Sequence, residues 1–136
     1  MARINYDQDE YNLERLLPNN QGDAQIPLQD LYISKLELEN LLDQYNLVKY
    51  DEVYCDNKEK ENTLGYGGYD HALIIEFNEV NVINIWLHNF KYFEAKMFKV
   101  ILNKLGERWS LSLLDRSGYL VDLENESMLD WYLMER

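Results

Sequence analysis

The chain has 136 residues, 46% of them apolar, with 25 acidic against 13 basic side chains and a net charge of −12. A chain of this length forms one domain, burying about 70% of its unfolded surface, and needs no disulfide or metal to hold it. The interspersed polar residues exclude a disordered chain, the acid excess opposes nucleic acid and anionic membrane, and no apolar run approaches the ~20 residues of a membrane span.

Along the chain, residues 1–27 read as an irregular N-terminal segment. Within it Tyr11, Leu13, Leu16 and Leu17 can share one face of a short helix over 8–17, broken by Pro18, Asn19, Asn20 and Gly22. The first firm signal is Ser34-Lys35-Leu36-Glu37, a capping box that opens an amphipathic helix with Leu36, Leu38, Leu41, Leu42 and Tyr45. Asn46 suits its left-handed end. Residues 47–54, LVKYDEVY, read as a strand with imperfect alternation, and residues 55–70 as a long acidic loop rich in glycine and tyrosine.

HALIIEF and VINIWLH predict two strands of a hairpin. With Phe77 facing Val82, the register sets His71 opposite His88, Leu73 opposite Trp86 and Ile75 opposite Asn84. Both faces of that hairpin are largely apolar, as in a central pair covered on both sides. Asn89 can cap a helix over 90–105 with Phe90, Phe93, Met97, Phe98, Ile101 and Leu105 on one face, and Gly106 is placed to end it. WSLSLL and GYLVDL predict a second hairpin around Asp115-Arg116-Ser117-Gly118, and residues 126–134 a last helix. The order implies an α+β fold: one domain over 1–136, with a mostly antiparallel sheet of about five strands and helices packed on it.

Candidate chemistry centres on Gly65-Tyr66-Gly67-Gly68-Tyr69-Asp70-His71. A phosphate loop follows a strand and opens a helix. Here the glycines precede a strand, no P-loop lysine follows, and Glu59, Glu61 and Asp70 would repel an anion. The glycines read instead as sources of positive φ in a mobile loop. Asp70, His71 and His88 are candidate metal ligands or acid–base groups for a metal-dependent hydrolase if the proposed register holds. No His-x-x-x-His or cysteine pair accompanies them. Cys55 lies among acids, which raise a thiol pKa. The serines lack a nucleophile elbow, and Glu76 is the one carboxylate in an otherwise apolar segment. The chain is therefore read as a non-enzyme that uses no cofactor. With a single cysteine and an N-terminus lacking the pattern of a signal peptide, it is expected in the cytoplasm.

Charge and tyrosine point toward protein binding. Net charge is −11 over residues 1–90, +3 over 91–116 and −4 over 117–136. Carboxylates interleaved with tyrosines suit a surface that grips lysine and arginine, since acids pair with cations and ring faces accept a guanidinium. The predicted contact surface is Asp51, Glu52, Asp56, Glu59, Glu61, Tyr66, Tyr69 and Asp70. Lys91, Lys96, Lys99 and Lys104 decorate the helix over 90–105, Lys91 and Lys99 forming its solvated side with Glu94 nearby, and Trp86, Trp109 and Trp131 are assigned to the core. The expected function is a small acidic inhibitor of a basic protein, concretely an immunity protein masking a nuclease-type toxin. A nucleic-acid mimic of the kind a phage uses against its host is the alternative. A homodimer through a residual apolar face is compatible with both.

Overall fold

The computed structural model of the chain describes residues 3–6, 14–19, 26–89, 91 and 93–135. In chain order the elements are β1 (Arg3–Tyr6), β2 (Glu14–Pro18), a 3-10 turn (Leu28–Leu31), α1 (Lys35–Leu42), β3 (Val48–Tyr50), β4 (Glu52–Cys55) and β5 (Lys58–Glu59). There follow β6 (Thr63–Gly68), β7 (His71–Phe77), β8 (Val82–His88), α2 (Ala95–Trp109), β9 (Leu111–Leu114), β10 (Leu120–Asp122) and α3 (Glu126–Glu135).

The fold is α+β, but the expectation of one sheet of about five strands is overturned. A seven-stranded antiparallel sheet runs β10-β9-β2-β8-β7-β6-β3, and a three-stranded sheet runs β1-β4-β5, with β1 parallel to β4. Alternation along β7 explains the layering. Leu73 and Ile75, with Ile85 and Leu87 of β8, face Leu38 and Leu42 of α1, Phe98, Ile101, Leu102 and Leu105 of α2, and Leu129 and Leu133 of α3. Ala72 and Ile74 face the opposite way, onto Ile4, Tyr6, Val53 and Cys55 of the small sheet. The central hairpin is thus covered on both sides, by helices on one and by a second sheet on the other.

Several local expectations change. Residues 14–18 are a strand rather than part of a helix or of an irregular segment, because Leu16 inserts into the core between β8 and β9; the rest of the proposed 8–17 helix lies outside the described residues. The strand expected over 47–54 is two strands. At Asp51 the chain leaves the large sheet and joins the small one, which is why its alternation slips between Tyr50 and Val53. Residues 55–70 are not a loop. The two-residue turn Asp56-Asn57, with φ of 52° and 67°, folds β5 back on β4. Thr63–Gly68 then forms β6, paired along its whole length with β7.

The helix expected from residue 90 begins at Ala95. Glu94 caps it, accepting the N–H groups of Lys96 and Met97 at 3.1 and 2.8 Å. It runs through Gly106 and ends at Ser110, whose φ is 53°. Gly106 serves packing rather than termination: a Cβ there would lie 2.6 Å from the Leu123 Cβ. Ser34 does cap α1, accepting the Glu37 N–H at 3.2 Å. The Glu37 carboxylate reaches instead to Arg108, 2.7 Å away.

Candidate binding surface

The β7–β8 pairing decides what the two histidines can do. Phe77 faces Val82 as the sequence suggests, but a bulge between Glu76 and Phe77 shifts every later pair by one residue. His88 therefore lies opposite Ala72, and His71 pairs with Gly68. A shift of one residue exchanges faces. His71 sits on the helix side, its ring edge-on to Phe93 with centroids 4.6 Å apart, and its Nδ1 is 2.9 Å from the Tyr69 carbonyl that accepts it. His88 sits on the small-sheet side, 6.2 Å from the Tyr6 ring. The register expected to join them is overturned, and the sheet lies between the two imidazoles. Among the described residues no group of three or more His, Cys, Asp or Glu side chains is disposed to hold a metal.

The glycines also change meaning. Gly65, Gly67 and Gly68 are extended residues of β6, not sources of positive φ. Gly67 is required by close approach: a Cβ would fall 2.1 Å from the His71 carbonyl oxygen. In the turn itself Asp70 carries the positive φ, 59°, and the Asn89 amide donates to the Asp70 carbonyl at 2.7 Å.

The tyrosines divide between interior and surface. Tyr66, expected to meet a partner, is instead buried at 1% exposure under α1, where its hydroxyl donates to Asp43 Oδ1 at 3.0 Å. Burial pushes its pKa up to about 12, partly offset by Lys49. Tyr50 is buried too, and its hydroxyl donates to the Gly68 carbonyl, locking β3 to the end of β6. Burial likewise raises Tyr6, with the Cys55 thiol adding to the effect. Tyr69, by contrast, is 94% exposed at the tip of the β6–β7 turn.

The six candidate acids lie on or around the small sheet, apart from Asp70. Ile4, Tyr6, Val53 and Cys55 point inward, so the register sets Arg3, Asn5, Glu52, Tyr54 and Glu59 on the outer face. There the Arg3 guanidinium lies 3.9 Å from the Tyr54 ring centroid. Asp51 occupies the corner between the sheets, Asp56 the β4–β5 turn, and Glu61 the bend before β6. Asp51 and Asp56 thus flank opposite ends of β4, about 16 Å apart along the strand. Asp70 stands with Tyr69 at the rim of an open groove of about 690 Å³ that also involves Arg3, Asn5, Val48 and Tyr50. Seven ion pairs form among the described residues, through Glu14, Glu37, Glu39, Glu76, Glu107 and Asp130; none uses Asp51, Glu52, Glu59, Glu61 or Asp70.

Two features escaped sequence reasoning. Glu76 is tied inside a polar cluster, accepting from Trp86 Nε1 at 2.7 Å with Lys60 at 3.9 Å, so it anchors the small-sheet side. Trp131, assigned to the core, is 54% exposed near Tyr119. No helix among the described residues is long and apolar enough to cross a membrane. No protein-family model, curated protein or solved structure matches the chain.

Proposed function

We propose that this chain is a small acidic binding protein that masks the basic surface of another protein. An immunity protein occupying the nucleic-acid-binding surface of a nuclease-type toxin is its concrete form, acting in the cytoplasm. The observation that carries the reading is a set of carboxylates: among the described residues Asp51, Glu52, Glu59, Glu61 and Asp70 meet no cation, and the ion pairs there use other acids. Unneutralised carboxylates supply the field that speeds encounter with a cationic partner. Tyr69, fully presented beside Asp70, supplies the kind of rigid aromatic anchor that binding surfaces favour.

A local patch fits an immunity protein better than a nucleic-acid mimic. A mimic needs carboxylates repeated at phosphate spacing along an extended face. Here the candidate acids gather around one small sheet and one adjacent turn, with Arg3 among them. The test is capture of partners from the native host by the immobilised chain, at low and high salt. The expected result is a basic protein retained at low salt, released at high salt, and lost when Glu59→Gln, Glu61→Gln and Asp70→Asn are combined. Retention of acidic or neutral proteins alone, indifferent to the triple substitution, would refute the reading.

A further inference from the structure

The groove beside Asp70 has an architecture that the charge pattern alone does not reveal. Among the described residues, β3 ends the seven-stranded sheet and β1 ends the three-stranded sheet. Both strands border the same trough, through Val48 and Tyr50 on one side and Arg3, Ile4 and Asn5 on the other. Two sheet edges therefore open onto a single groove.

The pairing shows which backbone groups face it. The two-residue turn at Tyr69-Asp70 makes Gly68 and His71 a hydrogen-bonded pair, so alternation turns Gly67 and Gly65 toward β3. Their partners Val48 and Tyr50 spend their backbone groups on β6, and Lys49 directs its N–H and C=O outward. On β1, the Asp56 N–H donates to the Tyr6 carbonyl at 2.9 Å. Tyr6 and Ile4 therefore bond toward β4, and Arg3 and Asn5 turn their backbone groups to the trough. Outward N–H and C=O groups on an edge are a template for an added strand.

Charge identifies what would enter. The nearby cations are engaged: Arg3 lies over Tyr54, and Lys49 Nζ is 3.3 Å from Glu39 Oε1. Asp51 at the end of β3 and Asp70 on the rim have no ion-pair partner among the described residues. A second copy of this chain would bring a net charge of −12 against −12. We propose that the trough receives an extended segment of a basic protein as an added strand on β3, with its lysine or arginine side chains reaching Asp51 and Asp70. Backbone pairing to Lys49 supplies register, and the two carboxylates select cationic side chains. This rests on the reading of the chain as a binder of basic proteins and specifies the form in which the partner is held.

The experiment uses the full chain and three synthetic peptides of four repeats each, Lys-Val, Thr-Val and Glu-Val, followed by amide NMR and hydrogen exchange. The Lys-Val peptide is expected to protect the Lys49 amide and shift Asn5, with Glu-Val inert and Thr-Val at least tenfold weaker. Lys49→Pro removes the outward N–H without touching the β6 ladder and should weaken Lys-Val binding about tenfold, whereas Lys49→Ala leaves it within about threefold. Should Lys49→Pro fail to fold, Tyr69→Ser combined with Asp70→Asn tests the same trough and should also weaken binding about tenfold. Lys-Val binding that shifts only the outer face around Glu52 and Glu59 would overturn the trough and spare the wider reading. Equal binding of Thr-Val would overturn the cationic selection and the wider reading with it. Absence of Lys-Val binding, or self-association of the chain through β3, would overturn the proposal.

Discussion

At the scale of single residues, Tyr66 shows how a side chain suited to a surface is claimed by the interior. In sequence it stands between glycines and acids, the setting of an exposed binding residue. In the fold, β6 lies next to β7, and the face that carries Leu73 and Ile75 also carries Tyr66 onto α1, where Asp43 takes its hydroxyl. Its phenol ionises only near a pKa of about 12 when folded, against 10.0 when unfolded. The stability this group contributes is therefore complete below pH 10.0 and is lost as pH rises through about 12, because the unfolded chain gives up its proton first. Tyr66→Phe should cost about 1 kcal/mol near neutral pH through the lost hydrogen bond. It should also reduce the loss of stability between pH 10.0 and about 12, although Tyr6 and Tyr50, raised by burial, keep part of it. Denaturant unfolding of both proteins near neutral pH and at about pH 11 checks this; an unchanged alkaline loss would place the titration elsewhere.

At the scale of elements, the Gly67–His71 approach governs the β6–β7 hairpin. A methyl group at Gly67 would meet the backbone of β7, 2.1 Å from the His71 oxygen and 2.7 Å from the Ala72 Cα, and backbone cannot swing aside as a side chain can. Gly67→Ala should destabilise the fold by about 3 kcal/mol, read from the denaturant midpoint, and weaken protection of the β6 amides first. The ends of β7 and β8 were legible in sequence because each is a short apolar run bounded by polar residues, with both faces apolar. Their register was not, because Ile83, the extra residue of a bulge, is an ordinary strand residue without any local mark. β2 was hidden because Leu13, Leu16 and Leu17 fit a helical face as well as a strand, and only β8 and β9 on either side decide between them. β5 was hidden because Asp56-Asn57 resembles a charged loop until both residues are seen at positive φ. The capping box at Ser34 was legible since it depends on neighbours in sequence alone.

At the scale of the whole molecule, two edges of sheet meet beside the Tyr69 turn, with Asp70 on the rim of their groove and the other candidate carboxylates on and around the small sheet. The charge excess could be counted from the sequence, but its relation to the fold could not. The internal ion pairs draw on Glu14, Glu37, Glu39, Glu76, Glu107 and Asp130, and two of them span much of the chain, Glu37 to Arg108 and Glu14 to Arg116. Of the residues expected to touch a partner, Tyr66 left the surface, and among the acids Asp51 and Asp56 flank opposite ends of β4. What remains is a surface on the small sheet with one exposed aromatic at its edge. The measurement that bears most directly on this account is the association rate of the chain with its captured partner as a function of ionic strength, for the wild type and for the Glu59→Gln, Glu61→Gln, Asp70→Asn variant. A fast, steeply salt-dependent rate is expected for the wild type, and for the folded variant a rate about tenfold slower at low salt, with a shallower slope. Equal rates and equal salt slopes for the two proteins would contradict it.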